Sequence, residues 1–120
     1  MKEKHLEYFL REQGEIKTKR NIDLSNVVRD NVDFIVGDAL NPPFRSVYFD
    51  FVAALNIIDD VPSPEELLRK IGELTKPKGY CLISDPYHWG CTSLKEKREV
   101  WLGGKESGRF SGRSEDVIPR

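Results

Sequence analysis

Three short apolar runs stand out from an otherwise polar chain, and their order sets the expected fold. Val32-Asp33-Phe34-Ile35-Val36 is rich in β-prone residues and is closed by Gly37-Asp38, so it reads as a strand. Asn41-Pro42-Pro43 follows and forbids regular structure, because proline fixes φ and lacks an amide. From Phe49 to Ile58 the chain is apolar almost throughout after Asp50. Such a run predicts a strand covered on both faces, as parallel strands are; a buried helix is the competing reading. The third run, Tyr80-Cys81-Leu82-Ile83-Ser84, reads as another strand, ended by Asp85-Pro86. Cys81 within it reads as a small buried hydrophobe.

Between the second and third runs lies the clearest helix signature. Ser63-Pro64-Glu65-Glu66 is a capping box: the Ser63 hydroxyl accepts from the Glu66 amide, and Glu66 reaches back. Pro64 occupies the first helical position, where its missing amide costs nothing. Leu67, Leu68, Ile71 and Leu74 form the buried stripe, and Lys76-Pro77-Lys78-Gly79 stops the helix. At the N-terminus, Leu6, Phe9, Leu10 and Gln13 recur at steps of three and four, which predicts a helix over 2–13. Ile16, Thr18, Arg20, Ile22 and Leu24 alternate with polar neighbours, as in a half-exposed strand. Residues 94–102 read as a charged helix. The glycines at 103, 104, 108 and 112 suggest a loose tail. The expected organisation is therefore a helix plus strand insertion over 1–31, an α/β core over 32–90, and a helix with a loose basic tail over 91–120.

Composition narrows the function classes. The 120 residues suffice for one small domain. Nineteen basic and 20 acidic side chains give a net charge of −1. Such a balance provides no global field for nucleic acid. Cys81 and Cys91 make no disulfide framework and no zinc spacing, which points to a reducing compartment and no metal. No apolar run approaches the ~20 residues of a membrane span, and the opening Met-Lys-Glu-Lys-His lacks the apolar stretch of a signal peptide. The expected location is cytoplasmic.

In open α/β sheets ligands bind beyond the carboxyl ends of the strands. That rule selects Gly37-Asp38-Ala39-Leu40 after the first run, Asn56 followed by Asp59 and Asp60 after the second, and Asp85-Pro86-Tyr87 after the third. A carboxylate at Asp38 can accept from an exocyclic amine, and Asn56 can both donate and accept. The competing reading is that strands end in Gly, Asp, Asn and Pro because turns need them. His5 and His88 lie far apart in sequence and read as solvated.

The segment from Val32 to Tyr87 resembles the core of class I S-adenosylmethionine-dependent methyltransferases. Val32 to Phe44 is similar to that family's third strand and acidic loop, Phe49 to Asp59 to its fourth strand, and Pro64 to Gly79 to the next helix and its turn. Tyr80 to Asp85 is similar to the fifth strand. The resemblance implies a truncated Rossmann-like sheet, mainly parallel, with flanking helices. It implies S-adenosylmethionine as cofactor, with Asp38 on the adenine amino group, Ala39 beside the ring and Asn56 beside the methyl donor. Asp85, Tyr87 and Trp89 then face the methyl acceptor, and Asp85 and His88 are the catalytic candidates. His88 acts as a general base only if it reaches that acceptor.

The chain departs from this pattern where the cofactor is held. No Gly-x-Gly-x-Gly loop occurs, and the acidic residue that closes the second strand is missing. Gly103-Gly104-Lys105-Glu106-Ser107-Gly108 follows no strand and is not a phosphate-binding P-loop, whose lysine comes after the last glycine. Without the first two strands, the apolar strands face unpaired edges, which recruit pairing. Three outcomes are open: the strands Val32–Val36 and Phe51–Ile58 pair directly, two copies join as a homodimer, or a second chain supplies the missing strands. The functional expectation is an incomplete methyltransferase domain, a remnant or split subunit, acting on a small-molecule acceptor. The alternatives are a non-catalytic interaction module and another small α/β nucleotide binder.

Overall fold

The computed structural model describes residues 5–28 and 30–118, in two compact units that divide between Ile35 and Val36. The expected boundary lay at residue 31. The first unit is a hairpin of β1 (His5–Gln13) and β2 (Ile16–Asp23). The strands run antiparallel, with Leu6 opposite Ile22, Tyr8 opposite Arg20 and Leu10 opposite Thr18. A helix was expected here, and the part of it over 2–4 lies outside the described residues. Leu6, Tyr8 and Leu10 also carry a period of two, and that period wins because the Ile16–Leu24 run offers a partner of matching alternation. Gly14 supplies the positive φ (54°) of the two-residue turn. Lys19 pairs with Glu7, and Arg20 with Glu12 at 3.5 Å, tying the strands across their exposed surface.

Val32–Val36 forms no strand. Phe34 is 79% exposed and Val36 fully exposed. A strand needs a ladder partner, and among the described residues nothing pairs with 32–36.

The second unit is built on β3 (Phe49–Leu55), α1 (Pro64–Leu74) and β4 (Thr75–Ser84). The two strands lie parallel and adjacent, with Phe51 opposite Tyr80 and Leu55 opposite Ser84. The helix packs on both. It starts as expected: Ser63 Oγ accepts from the Glu66 amide at 3.4 Å and Pro64 is at the first turn. The reciprocal bond is replaced, because the Glu66 carboxylate takes the Arg69 guanidinium (Nε at 2.9 Å).

The core comprises Ala54, Ile58, Leu67, Ile71, Trp89, Leu94, Leu102 and Ile118. Full burial of each large side chain contributes about 1.5–3 kcal/mol. Coverage is one-sided. Val52, Ala54 and Ile83 face the core, while Phe51, Leu55, Tyr80 and Leu82 on the other face are exposed, Tyr80 by 74%. The expectation of strands buried on both faces is corrected here: one helix covers one face of a two-stranded sheet. Cys81 is likewise exposed rather than buried. The expected mainly parallel sheet with flanking helices reduces, among the described residues, to one parallel pair, one antiparallel pair and a single long helix.

The end of the chain is more ordered than its glycines suggested. No helix spans 94–102; a 3-10 turn covers Arg98–Val100. The apolar residues there, Val100, Trp101 and Leu102, are consecutive and so give no one-sided helical stripe. The loose tail is instead a folded loop, with Gly103 N bonded to Phe110 O (3.1 Å), Gly104 N to Gly112 O (2.7 Å) and Gly112 N to Lys105 O (2.8 Å). The turn α2 (Ser114–Val117) comes next. The part of the tail over 119–120 lies outside the described residues. No helix among the described residues is long and apolar enough to cross a membrane.

Where β4 leaves α1, the ladder skips from Phe49–Thr75 to Phe51–Tyr80. The extra residues loop out around Asp50, whose carboxylate takes Lys76 Nζ at 3.2 Å. Gly79 is needed there for space: a Cβ would lie 2.8 Å from Asp50 O and 2.9 Å from Lys76 O. Gly79→Ala is expected to lower stability by about 1–3 kcal/mol, the range for overpacking against a fixed neighbour. Urea denaturation measures it, and an unchanged midpoint would mean that the loop relaxes around the methyl group.

Candidate functional site

Both parallel strands end on a residue with left-handed backbone. Asn56, after β3, has φ 55°, and Tyr87, past the end of β4, has φ 55°. Asparagine adopts this conformation readily; a bulky aromatic does so only when its surroundings hold it. At Asn56 the constraint comes from the end of β4. Its amide donates to Ser84 O at 2.6 Å, and the Ser84 hydroxyl donates to Asn56 Oδ1 at 3.1 Å. Asn56 therefore sits beside the end of β4 and is exposed.

At Tyr87 the constraint comes from a carboxylate. Asp85 Oδ1 accepts from the Tyr87 amide at 2.8 Å. Asp85 Oδ2 accepts from the amides of Ile58 at 3.0 Å and Asp59 at 3.4 Å. Asp59, itself buried, returns the contact, with Oδ2 accepting from the His88 amide at 2.7 Å. Two carboxylates thus sew the loop after β3 to the loop after β4. Burial pushes the Asp85 carboxyl above its usual range, and the nearby Asp59 charge adds to this, while the amide bonds oppose it. Burial also raises the Tyr87 phenol, which keeps it protonated.

The aromatic residues beyond Pro86 divide by depth. Trp89 is 2% exposed and belongs to the core. It stacks with Tyr87 and with Trp101, each at 6.4 Å between ring centres. Its indole N–H donates to Ser114 Oγ at 2.9 Å. Gly103 and Gly104 permit this packing: a Cβ on Gly103 would stand 2.3 Å from Ser114 Cα, and one on Gly104 would stand 2.9 Å from Trp89 Cδ1. Trp89 supports Tyr87 from behind. His88 is exposed, with its backbone alone tied down.

The structure therefore brings Asp85, Tyr87, His88 and Trp89 together with Asn56 and Ser84 at the ends of β3 and β4. Asp38 and Ala39 form a separate turn, in which Asp38 Oδ1 accepts from the Leu40 amide at 2.9 Å and Asp38 O from the Asn41 amide at 3.0 Å. Leu40 anchors that turn against the core; Asp38 and Ala39 are exposed. Asp59 and Ser114 had no assigned role in the sequence, because neither carries a local pattern: their partners are 29 and 25 residues away. Among the described residues, no His, Cys, Asp and Glu group is arranged to hold a metal.

Comparison with known proteins decides the family. The methyltransferase domain family matches residues 9–83. The chain belongs to that family. A curated relative, norajmaline N-methyltransferase from Rauvolfia serpentina, is 32% identical over 74 residues, which cover 62% of this chain and 25% of the relative. The chain thus matches about a quarter of that methyltransferase's length. Within this methyltransferase domain, Asp38, Ala39 and Asn56 lie inside the matched segment. Asp85, Tyr87, His88 and Trp89 lie just beyond it.

The Asp85 clamp makes a testable statement about stability. A raised folded-state value means that the folded carboxyl holds its proton more tightly than the unfolded one. Its contribution is full below the ordinary value of 3.8 and is lost as pH rises through the raised value. Asp85→Asn is expected to remove that decline. It should also cost about 1–3 kcal/mol, because the amide nitrogen cannot accept from one of the three backbone donors. Urea midpoints across the acidic range, for both proteins, measure the two effects together.

Proposed function

We propose that this chain is the later part of an S-adenosylmethionine-dependent methyltransferase domain, in which β3, α1 and β4 are consecutive elements of a Rossmann-like sheet. The observation that carries the reading is the family match over β3–α1–β4, together with the polar rim at the strand ends. The family membership and the relative's name support methyl transfer; the cofactor is an inference from that membership.

The residues present suit one end of the cofactor. Asp38 keeps a second carboxylate oxygen for the adenine amino group, since only Oδ1 serves the Leu40 amide. Ala39 lies beside it with a side chain small enough for a ring to approach. The Asn56 side-chain NH2 remains free to donate, because its oxygen takes the Ser84 hydroxyl. The other end has no cradle in this sequence, which lacks a glycine-rich loop. When bound, S-adenosylmethionine supplies an electrophilic methyl group, and the protein's task is to position the acceptor in line with it.

On the acceptor side, Asp85 acts as a positioning residue rather than a base, because both its oxygens already accept backbone amides. It fixes Tyr87 in its left-handed conformation and, with Asp59, directs the loop carrying His88. Tyr87 presents a protonated phenol and a ring face backed by Trp89. His88, exposed and with its imidazole unpaired among the described residues, is the group able to take a proton from an acceptor nitrogen or oxygen.

The exposed face of Phe51, Leu55, Tyr80 and Leu82 suits the missing half of such a sheet, supplied by a second chain or a second copy. The same face favours the alternative reading of a non-catalytic interaction module. Sedimentation velocity distinguishes the sources: a dimer of this chain that Leu82→Lys returns to monomer supports the second copy, and a monomer at all concentrations leaves only a different chain.

Cofactor binding tests the main reading. Calorimetric titration with S-adenosylmethionine is expected to give a weak saturable isotherm with a Kd on the order of 1 mM, weakened about tenfold by Asp38→Ala. No heat to saturation, or an isotherm indifferent to that substitution, would remove Asp38 from the site. Tighter binding of ATP than of S-adenosylmethionine would favour a different nucleotide binder.

A further inference from the structure

The loop from Gly103 to Gly112 builds a basic cleft apart from the strand-end rim. Its closure by the Lys105–Gly112 bridge, with Ser111 N bonded to Gly108 O at 3.2 Å, turns Arg109 and Phe110 back over the loop. The Arg109 guanidinium lies 4.4 Å from the Phe110 ring centre, and Lys105 Nζ lies 5.8 Å from the same centre. Two cations thus share one aromatic ring. The 3-10 turn at Arg98–Val100 contributes Arg98. Arg98, Lys105 and Arg109, with Glu99, Ser107 and Gly108, line an open cleft of about 570 Å³.

The charge in this cleft is not balanced from within. Arg98, Lys105 and Arg109 face Glu99 as the one acid of the lining. Arg109 also reaches Glu65 at 3.0 Å, an exposed pair of the kind that water and salt screen strongly. Lys105 is 8% exposed, and no carboxylate among the described residues forms an ion pair with it. Burial lowers its ammonium, and Arg98 and Arg109 lower it further. An ammonium held near two guanidinium groups feels like-charge repulsion, which an entering anion relieves.

We propose that this cleft binds a phosphate group borne by a small molecule. Three cationic donors from two separate segments, with the Ser107 hydroxyl beside them, suit an anion with oxygens in several directions. A flat carboxylate uses one guanidinium fork. The lining residues all lie beyond residue 83, outside the segment matched to the family. The proposal therefore rests on none of the cofactor assignments above and survives their failure.

Inorganic phosphate is the probe. Amide spectra of the full chain, titrated at constant ionic strength with chloride as the balancing ion, are expected to shift in a saturable way at Arg98, Lys105, Ser107, Gly108 and Arg109. The expected Kd is on the order of 1 mM. Arg98→Gln, at an exposed position, is expected to weaken binding about tenfold, the loss of one charge-assisted bond. Lys105→Met tests the covered cation, and where it fails to fold, Arg98→Gln bears the test alone. Non-saturating shifts, or shifts unaltered by Arg98→Gln, overturn the site. An equal response to acetate overturns the preference for phosphate.

Discussion

The Asp85 carboxylate is the contact on which the rest of the second unit depends. It lies just past β4 and accepts amides from both its own loop and the loop after β3. Two parallel strands share a ladder along their length, but nothing in the ladder fixes the loops beyond their ends. Asp85, answered by Asp59 on the His88 amide, fixes both exits at once. It places Ile58 in the core on one side and Tyr87 and Trp89 on the other. The loops that carry the candidate chemistry are thereby the same loops that close the core. A change that frees the Asp85 carboxylate also releases the backbone it holds.

A second constraint is the shortage of layers. A βαβ unit buries one face of its sheet against the crossover helix and leaves the other for further elements. Here α1 covers Val52, Ala54 and Ile83, and the 89–118 segment completes that side through Trp89, Leu94, Leu102 and Ile118. The opposite face keeps Phe51, Leu55, Tyr80 and Leu82 in water. Apolar contiguity of this kind usually marks a surface meant for a partner. It accords with a chain that matches only a quarter of a methyltransferase relative.

Much of the second unit was legible because its determinants are local. Ser63, Pro64 and the Leu67–Ile71 stripe specify α1 within one turn of themselves, and β3 and β4 are marked by their apolar content and bounding turns. Asn56, Asp85 and Tyr87 were singled out by the rule that ligands gather at strand ends, and they lie at the neighbouring ends of β3 and β4, while Asp38, selected by the same rule, sits in a separate turn. Other readings failed where two periods competed or a partner was needed. Leu6, Tyr8, Phe9 and Leu10 satisfy both a helical and a strand pattern, and only pairing with Ile16–Asp23 settles the choice. Val32–Val36 has strand composition but no strand beside it. Lys105 looked like a residue of a loose tail until the Lys105–Gly112 bridge folded it over Phe110.

The sequence by itself determined the family, the start of α1, the two parallel strands and the polar residues at their ends, because these depend on neighbours a few positions away. Tertiary structure decided the depth and direction of those residues. It turned Trp89 inward to Ser114, committed both oxygens of Asp85 to backbone amides and left His88 outside. It also gathered Arg98, Lys105 and Arg109 around one cleft. The bonds of Asp85 to the Ile58 amide, of Asp59 to the His88 amide and of Trp89 to Ser114 join groups 25 to 29 positions apart. Pairing over such separations carries no local signature, since it is fixed by burial and hydrogen-bond satisfaction in the assembled chain.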